Sequence, residues 1–393
     1  MTEAVIVGYA RTPIGKFGGG LSSLTAMELG GHAIRAALER AGVAGDQVDQ
    51  VIMGHVLQAG QGQITARQAA AKAGIPMDVP ALTVNKVCLS GMNAIALASQ
   101  AIAVGQSDIV VAGGMESMSN APYVLPKART GYRMGHGEIV DAMIHDGLWC
   151  AFDHEHMGSG ADKMNAEYGI SRERQDEWAA MSHERAAAAW KEGRFADEVV
   201  PVEVPQRKGD PVVVDSDEGV RPGTTPESLA KLRPAFSPDG TVTAGNASQI
   251  SDGAAAVVVM SRAKADELGI PPLGRILGYG TVAGPDPSLH HQPAQAIRKV
   301  SERLGFDPGG YDLYEMNEAF AAVAIHSADL LGVGAEKVNP SGGAVALGHP
   351  IGCSGARITI TLLNELRRRG GGRGAAALCG GGGQGDALIV EAL

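Results

Sequence analysis

Cysteine is scarce in this 393-residue chain: there are four, Cys88, Cys150, Cys353 and Cys379, and no two stand in a CxxC spacing. That argues against a zinc cluster or a disulfide framework and fits a reducing compartment. An excess of basic residues is missing too. The formal net charge is −10, which argues against nucleic acid or an anionic membrane as the main partner; a bound anion needs a local basic patch. There is no clean membrane span, because Asn93, Ser99, Gln100 and Gly105 interrupt the apolar run that follows Cys88. The first predicted strand starts at Ala4, which leaves no room for a signal or transit peptide and predicts a cytoplasmic location.

What is present is enough for two or three domains around a substantial core: 45% of the residues are hydrophobic and 19% charged. Strands at Ala4–Gly8, Val51–Gly54, Leu82–Asn85 and Asp108–Gly113 alternate with helices at about Ser23–Arg40, Ile64–Ala73 and Met92–Val104. Several of the strands are continuously apolar, the pattern of an α/β sheet covered by helices on both faces.

The same order recurs near the end of the chain. Arg275–Tyr279 echoes Ile6–Tyr9, Asp312–Met316 echoes Asp49–Met53, Cys353-Ser354-Gly355 echoes Cys88-Leu89-Ser90-Gly91, and Ala375–Leu378 echoes Ile109–Ala112. Most offsets fall between 263 (Met53 to Met316) and 270 (Gly8 to Gly278), while Val84-Asn85 and Val338-Asn339 are offset by 254. Two copies of one β-α-β unit follow, the second with a longer loop ahead of Cys353. In the first copy the last strand, Ala254–Met260, arrives only after an insertion. The predicted organisation is an N-terminal half at 1–118 and 250–270, an inserted domain at 119–249, and a C-terminal half at 271–393. Within the insertion, Ser159–Tyr168 and Arg172–Lys191 read as helices, with Arg172 and Asp176 paired at helical spacing. Residues 119–145 read as an excursion that a partner subunit orders.

Cys88 sits where a short strand turns into a helix, and no charge occurs between Lys86 and Asp108. The helix therefore lies in the middle of the core. Free N–H groups and the positive dipole end favour a thiolate, which makes Cys88 a candidate nucleophile. The plain alternative is a small buried hydrophobe. In the second copy, glycines bracket His349 in an apolar run. If the copies pack about a pseudo-twofold axis, His349 faces Cys88 as its base; otherwise it is a core histidine. Cys379-Gly380-Gly381-Gly382-Gly383 follows an apolar strand but precedes another strand, so it is no dinucleotide loop. A cysteine there, beside free backbone N–H groups, suits proton transfer next to an oxyanion. Asn317 ends another strand, either as part of this site or as a helix cap. Asp153-His154-Glu155-His156 offers two histidines spaced by one with no third partner in view, and no metal is expected.

Together, Asn85-Lys86-Val87-Cys88-Leu89-Ser90-Gly91, Gly113-Gly114-Met115-Glu116-Ser117-Met118-Ser119, Asn317-Glu318-Ala319-Phe320, Gly348-His349-Pro350-Ile351-Gly352 and Cys379-Gly380-Gly381-Gly382-Gly383 resemble the thiolases, in particular the acetyl-CoA acetyltransferases. The resemblance implies the thiolase fold, with duplicated halves built on mixed five-stranded sheets. It also implies a ping-pong Claisen condensation in which Cys88 carries the acyl group, His349 takes its proton and Cys379 deprotonates the second acetyl-CoA. A water on Asn317 would help hold the enolate oxygen, and the N–H groups of Cys88 and Gly381 would hold the tetrahedral oxyanion. CoA-contacting positions carried over by the resemblance are Leu148, His156, Met157, Arg221, Ser228, Ala244, Ser248, Ala319 and Phe320, with Lys208 and Lys231 as possible phosphate partners. Beyond CoA itself no cofactor is implied; the partners are acyl-CoA substrates and a homotetramer of paired dimers. Two departures bear on chain length: Leu89 replaces a small residue, and 281–293 replaces a segment with an apolar Met-Gly. The rival readings are a degradative 3-ketoacyl-CoA thiolase and a non-catalytic CoA-binding relative.

Overall fold

The computed structural model describes residues 2–393. Its strands are β1 (Ala4–Arg11), β2 (Gln50–Gly54), β3 (Ala81–Val84), β4 (Ile109–Ser117), β5 (Ser251–Ser261), β6 (Gly274–Ala283), β7 (Leu313–Met316), β8 (Gly372–Gly380) and β9 (Gln384–Ala392). They lie side by side in the order β7-β8-β9-β6-β1-β5-β4-β2-β3, with the short strand Gly15–Lys16 added beside β5. The duplication is visible in the strand directions. In the first half β3, β2 and β4 are parallel, and β5 and β1 follow antiparallel. In the second, β7 and β8 are parallel, β9 and β6 follow antiparallel, and the counterpart of β3 shrinks to one bridge between Tyr314 and Val338. The two mixed sheets are not separate: β1 and β6 join edge to edge through Val5–Arg275 and Ile6–Gly274.

The helices are α1 (Ala26–Ala41), α2 (Thr65–Ala73), α3 (Ser90–Ala103), α4 (Met157–Glu167), α5 (Arg172–Lys191), α6 (Gln292–Leu304), α7 (Ala321–Leu331) and α8 (Ser354–Arg368). The first starts three residues later than the sequence predicts, because Thr25 and Glu28 close a capping box; it ends at Gly42 in the left-handed region. Both faces of the strands are used. Val5, Val7 and Ala10 of β1 pack with α1 and α2, while Ala4, Ile6 and Tyr9 face α3 and α8, the alternation slipping once at a bulge between Ile6 and Gly8. Burial on both sides is why these strands read as unbroken apolar runs.

Helices α3 and α8 occupy the central layer, and their apolar side chains share one core with strands of both halves. They touch at their first turns, where Gly91 lies against the main chain of Gly352 and Ala356 and Gly355 against that of Met92. A side chain at either glycine would collide with backbone, so the pair of glycines is what lets the two loops ahead of the helices meet.

The long connection from β4 to β5 holds α4 and α5, with Arg172 and Asp176 paired at 2.7 Å. Its first part carries only a two-residue pairing, Tyr123–Val124 with Val140–Asp141, and leaves Met134 99% exposed. Among the described residues no helix is long and apolar enough to cross a membrane.

Candidate active site

Cys88 is presented by a tight turn between β3 and α3. Asn85 Oδ1 accepts from Val87 N at 3.0 Å, Ser90 Oγ accepts from Lys86 N at 2.8 Å, and the Ser90 hydroxyl donates to Val87 O at 2.6 Å. These bonds hold Val87 at φ +50°, a left-handed conformation that a β-branched residue rarely adopts. Strain of this kind costs about 1–3 kcal/mol and persists only where surrounding contacts over-determine it.

The loop Gly348–Cys353 delivers the base. His349 Nε2 lies 3.3 Å from Cys88 Sγ, and its Nδ1 lies 2.6 Å from Ser354 Oγ. Backbone bonds from His349 N to Gln249 O and Ser251 Oγ, each 3.2 Å, fix the loop from β5's side. From the other side Glu116 does so. Its fully buried carboxylate accepts from Gly352 N at 2.9 Å and from Val56 N and Leu57 N at 3.1 Å, and stands 3.3 Å from His55 Nε2. Glu318 ties the helical turn Ala344–Leu347, which leads into that loop, to the insertion, accepting from Val345 N at 3.1 Å, Trp178 Nε1 at 3.0 Å and Ser182 Oγ at 2.7 Å.

Asn317 does not cap a helix; α7 begins at Ala321, with Phe320 at its cap position. Instead the buried Asn317 amide lies 3.5 Å from each ring nitrogen of His349, and its Oδ1 has no protein partner. Cys379 ends β8 beside Cys88, each buried. The glycine run after it turns back directly into β9, as the sequence predicts.

Electrostatically the resting site is neutral. Burial pushes the Cys88 thiol up to about 12, against the opposing pull of its own backbone N–H and that of Gly381. Burial, helped by the charge of Arg357, brings His349 down to about 3. Cys379 is raised by burial and by the neighbouring Cys88. The helix dipole, worth about 0.3–1 kcal/mol at an exposed terminus, loses to desolvation that shifts buried groups by up to about 3–5 pH units. The thiolate expected at Cys88 is thus a thiol at rest.

A cavity of about 300 Å³ is lined by Met157, Ala161, Met164, Cys150, Leu289, Gly382 and their neighbours. Met157, Leu289, Ala319 and Phe320 belong to one apolar cluster with Cys379. His156 stacks on Phe236 at 4.5 Å, and its Nδ1 accepts from Gly158 N; Glu155 pairs with Lys163 at 2.6 Å. Ser248 N donates to Ala319 O at 3.1 Å. Leu148 packs beside the central core. Arg221, Ser228 and Ala244 are exposed in the insertion, as are Lys208 and Lys231. Leu89 is not in the cavity: fully buried, it fills the space left by the missing side chain of Gly380. Segment 281–293 does line the cavity, through Asp286–His290. Glu116 and Ser354 stand inside sequence motifs that give neither of them a role, and Phe236 lies in none. For Ser354 the signal was its place five residues after His349, across the turn that opens α8.

The sequence matches two thiolase family domains, the thiolase N-terminal domain over residues 4–263 and the thiolase C-terminal domain over 270–392. It is 57% identical over 387 residues to a probable acetyl-CoA acetyltransferase of Mycolicibacterium smegmatis, covering 98% of this chain and 100% of that protein. It is 55% identical over 392 residues to the acetyl-CoA acetyltransferase of Cupriavidus necator, covering 100% of both. The crystal structure of the Bacillus anthracis acetyl-CoA acetyltransferase superposes with a TM-score of 0.97 at 46% identity, over 100% of this chain and 99% of that one.

Proposed function

The chain belongs to the thiolase family, and from that premise we propose that it is an acetyl-CoA acetyltransferase, joining two acetyl-CoA into acetoacetyl-CoA and CoA, or running the reverse thiolysis. The observation that carries this reading is the 3.3 Å approach of His349 Nε2 to Cys88 Sγ.

In the first half-reaction Cys88 gives its proton to His349 and attacks the thioester carbonyl; the N–H groups of Cys88 and Gly381 receive the oxyanion. The C–S bond to CoA breaks, and the departing thiolate takes the proton of Cys379. That leaves an acetyl group on Cys88, an imidazolium and a Cys379 thiolate. In the second, Cys379 removes a proton from the methyl carbon of a second acetyl-CoA. The cationic His349 and Asn317 stabilise the enolate oxygen. The enolate carbon attacks the acetyl-Cys88 carbonyl, and Cys88 leaves with the proton from His349. All three groups return to their neutral starting state.

The insertion, residues 119–249, supplies the CoA-binding surface: Met157 and His156 at the cavity, Ser248 bonded to Ala319, and Arg221, Ser228 and Ala244 on exposed positions. No further cofactor takes part. The exposed side chains Tyr123, Leu125, Met134 and Ile139 support subunit contacts through 119–145 in a tetramer of paired dimers. The charge balance and cysteine usage support a cytoplasmic location.

The test is turnover by the purified protein. Acetyl-CoA alone should yield acetoacetyl-CoA, and kcat/KM for thiolysis should be higher with acetoacetyl-CoA than with a medium-chain 3-ketoacyl-CoA. Preference for the medium chain would mean a degradative enzyme. CoA binding with no turnover would mean a non-catalytic relative.

A further inference from the structure

At the wall of the cavity, and running away from it, is a group of polar side chains that the chemistry does not use. His290 is fully buried on the segment between β6 and α6 and follows Leu289 directly. Its Nε2 lies 2.9 Å from Asn165 Oδ1 on α4. The Asn165 amide nitrogen donates to Gln175 Oε1 at 3.2 Å and Thr241 Oγ1 at 2.9 Å, so Oδ1 is the acceptor and His290 carries its proton on Nε2. From α7, the Ser327 hydroxyl donates to the His290 carbonyl at 2.8 Å. The Tyr168 ring meets His290 edge-on at 5.8 Å and is itself stacked on His326 of α7 at 4.2 Å. Burial, with His326 and His291 nearby, pushes the His290 pKa down to about 3, so the ring stays neutral.

Two consequences follow. The side chain and the main chain of His290 are gripped from opposite sides, by the insertion and by the C-terminal half, so the main chain that carries Leu289 cannot draw back from the cavity without straining both bonds. The remaining ring nitrogen, Nδ1, is buried without a protein donor. Leu289 lines the cavity and shares one apolar cluster with Met157, Ala161, Phe320, Val323 and Cys379, the neighbour of Cys88, so it walls the space beside the acyl carrier. A flexible wall would yield to added methylenes; a clamped one rejects them.

We propose that His290 is a positioning residue that clamps Leu289 between α4 and α7 and so limits the acyl group on Cys88 to a short chain. This rests on the reading of Cys88 as the acyl carrier.

The experiment compares kcat/KM for thiolysis of 3-ketohexanoyl-CoA with that of acetoacetyl-CoA in the full-length protein and in H290G, H290Q and S327A. In H290G the ratio should rise about tenfold or more, within the range that one or two methylenes supply in an apolar pocket. In H290Q, whose amide nitrogen can still donate to Asn165, it should return to within about threefold of the unaltered protein. S327A frees the main-chain grip and should shift the ratio in the same direction. A ratio unchanged in both H290G and S327A overturns the clamp; if H290G does not fold, S327A decides alone. Preference of the unaltered protein for the longer substrate would contradict the acetoacetyl-CoA reading instead, while the change in ratio still judges His290.

Discussion

The hydroxyl oxygen of Ser354 lies 2.6 Å from His349 Nδ1 and 3.0 Å from the carbonyl oxygen of Pro350. A carbonyl can only accept, so the serine proton goes to Pro350 and the serine oxygen is left to accept from Nδ1–H. That assigns the histidine tautomer: Nε2 is bare, and it is the nitrogen 3.3 Å from the Cys88 sulfur. A serine at the start of α8 thereby decides which histidine nitrogen can take a proton.

Replacing Ser354 with alanine removes this bias while leaving the Cys88–His349 contact in place. S354A should slow acetylation of Cys88 by about tenfold, the rate equivalent of one neutral hydrogen bond. Single-turnover acetyl transfer from acetyl-CoA measures it. An unchanged acetylation rate would show that the tautomer is set elsewhere.

The neutral resting pair makes a pH prediction. A thiol pushed up to about 12 is protonated throughout the ordinary range, so its thiolate fraction grows about tenfold per pH unit until that value is approached. Alkylation of Cys88 by iodoacetamide in the absence of CoA, followed by peptide mass mapping, should therefore climb steadily between about pH 6 and pH 9 without levelling. A plateau near neutrality would reveal a preformed thiolate–imidazolium pair, the state that helix-dipole reasoning alone leads one to expect.

Glu116 holds three backbone N–H groups from two loops on one buried carboxylate. Truncation to alanine leaves them unpaired at about 1–3 kcal/mol each. E116A should lose roughly 3–5 kcal/mol of stability in urea unfolding, with catalytic rate falling as the His349 loop loosens. A loss below about 1 kcal/mol would mean that water or backbone shifts satisfy these groups without the carboxylate.

Much of this was legible in the sequence, for physical reasons that differ by element. Strands buried on both faces print themselves as apolar runs, and the charge-free helix after Cys88 could only be central. The repeat placed His349 opposite Cys88, since two like units packed on their equivalent helices must bring equivalent loops together. Long-range packing hid the rest. Leu89 looked like a pocket residue but turns into the seam because Gly380, 291 positions away, leaves the room. The edge pairing of β1 with β6 spans only two residue pairs and has no pattern of its own. The state of the Cys88 thiol depends on total burial, which no local motif encodes.

The central claim is a division of labour between two neighbouring sulfurs, and acetyl trapping tests it most directly. The unaltered protein, C88S and C379S are each incubated with radiolabelled acetyl-CoA and denatured, and the label is located by peptide mapping. The account predicts label on the Cys88 peptide in C379S, none in C88S, and no acetoacetyl-CoA from either variant. Equal labelling of the two variants, or label on Cys379, would contradict it.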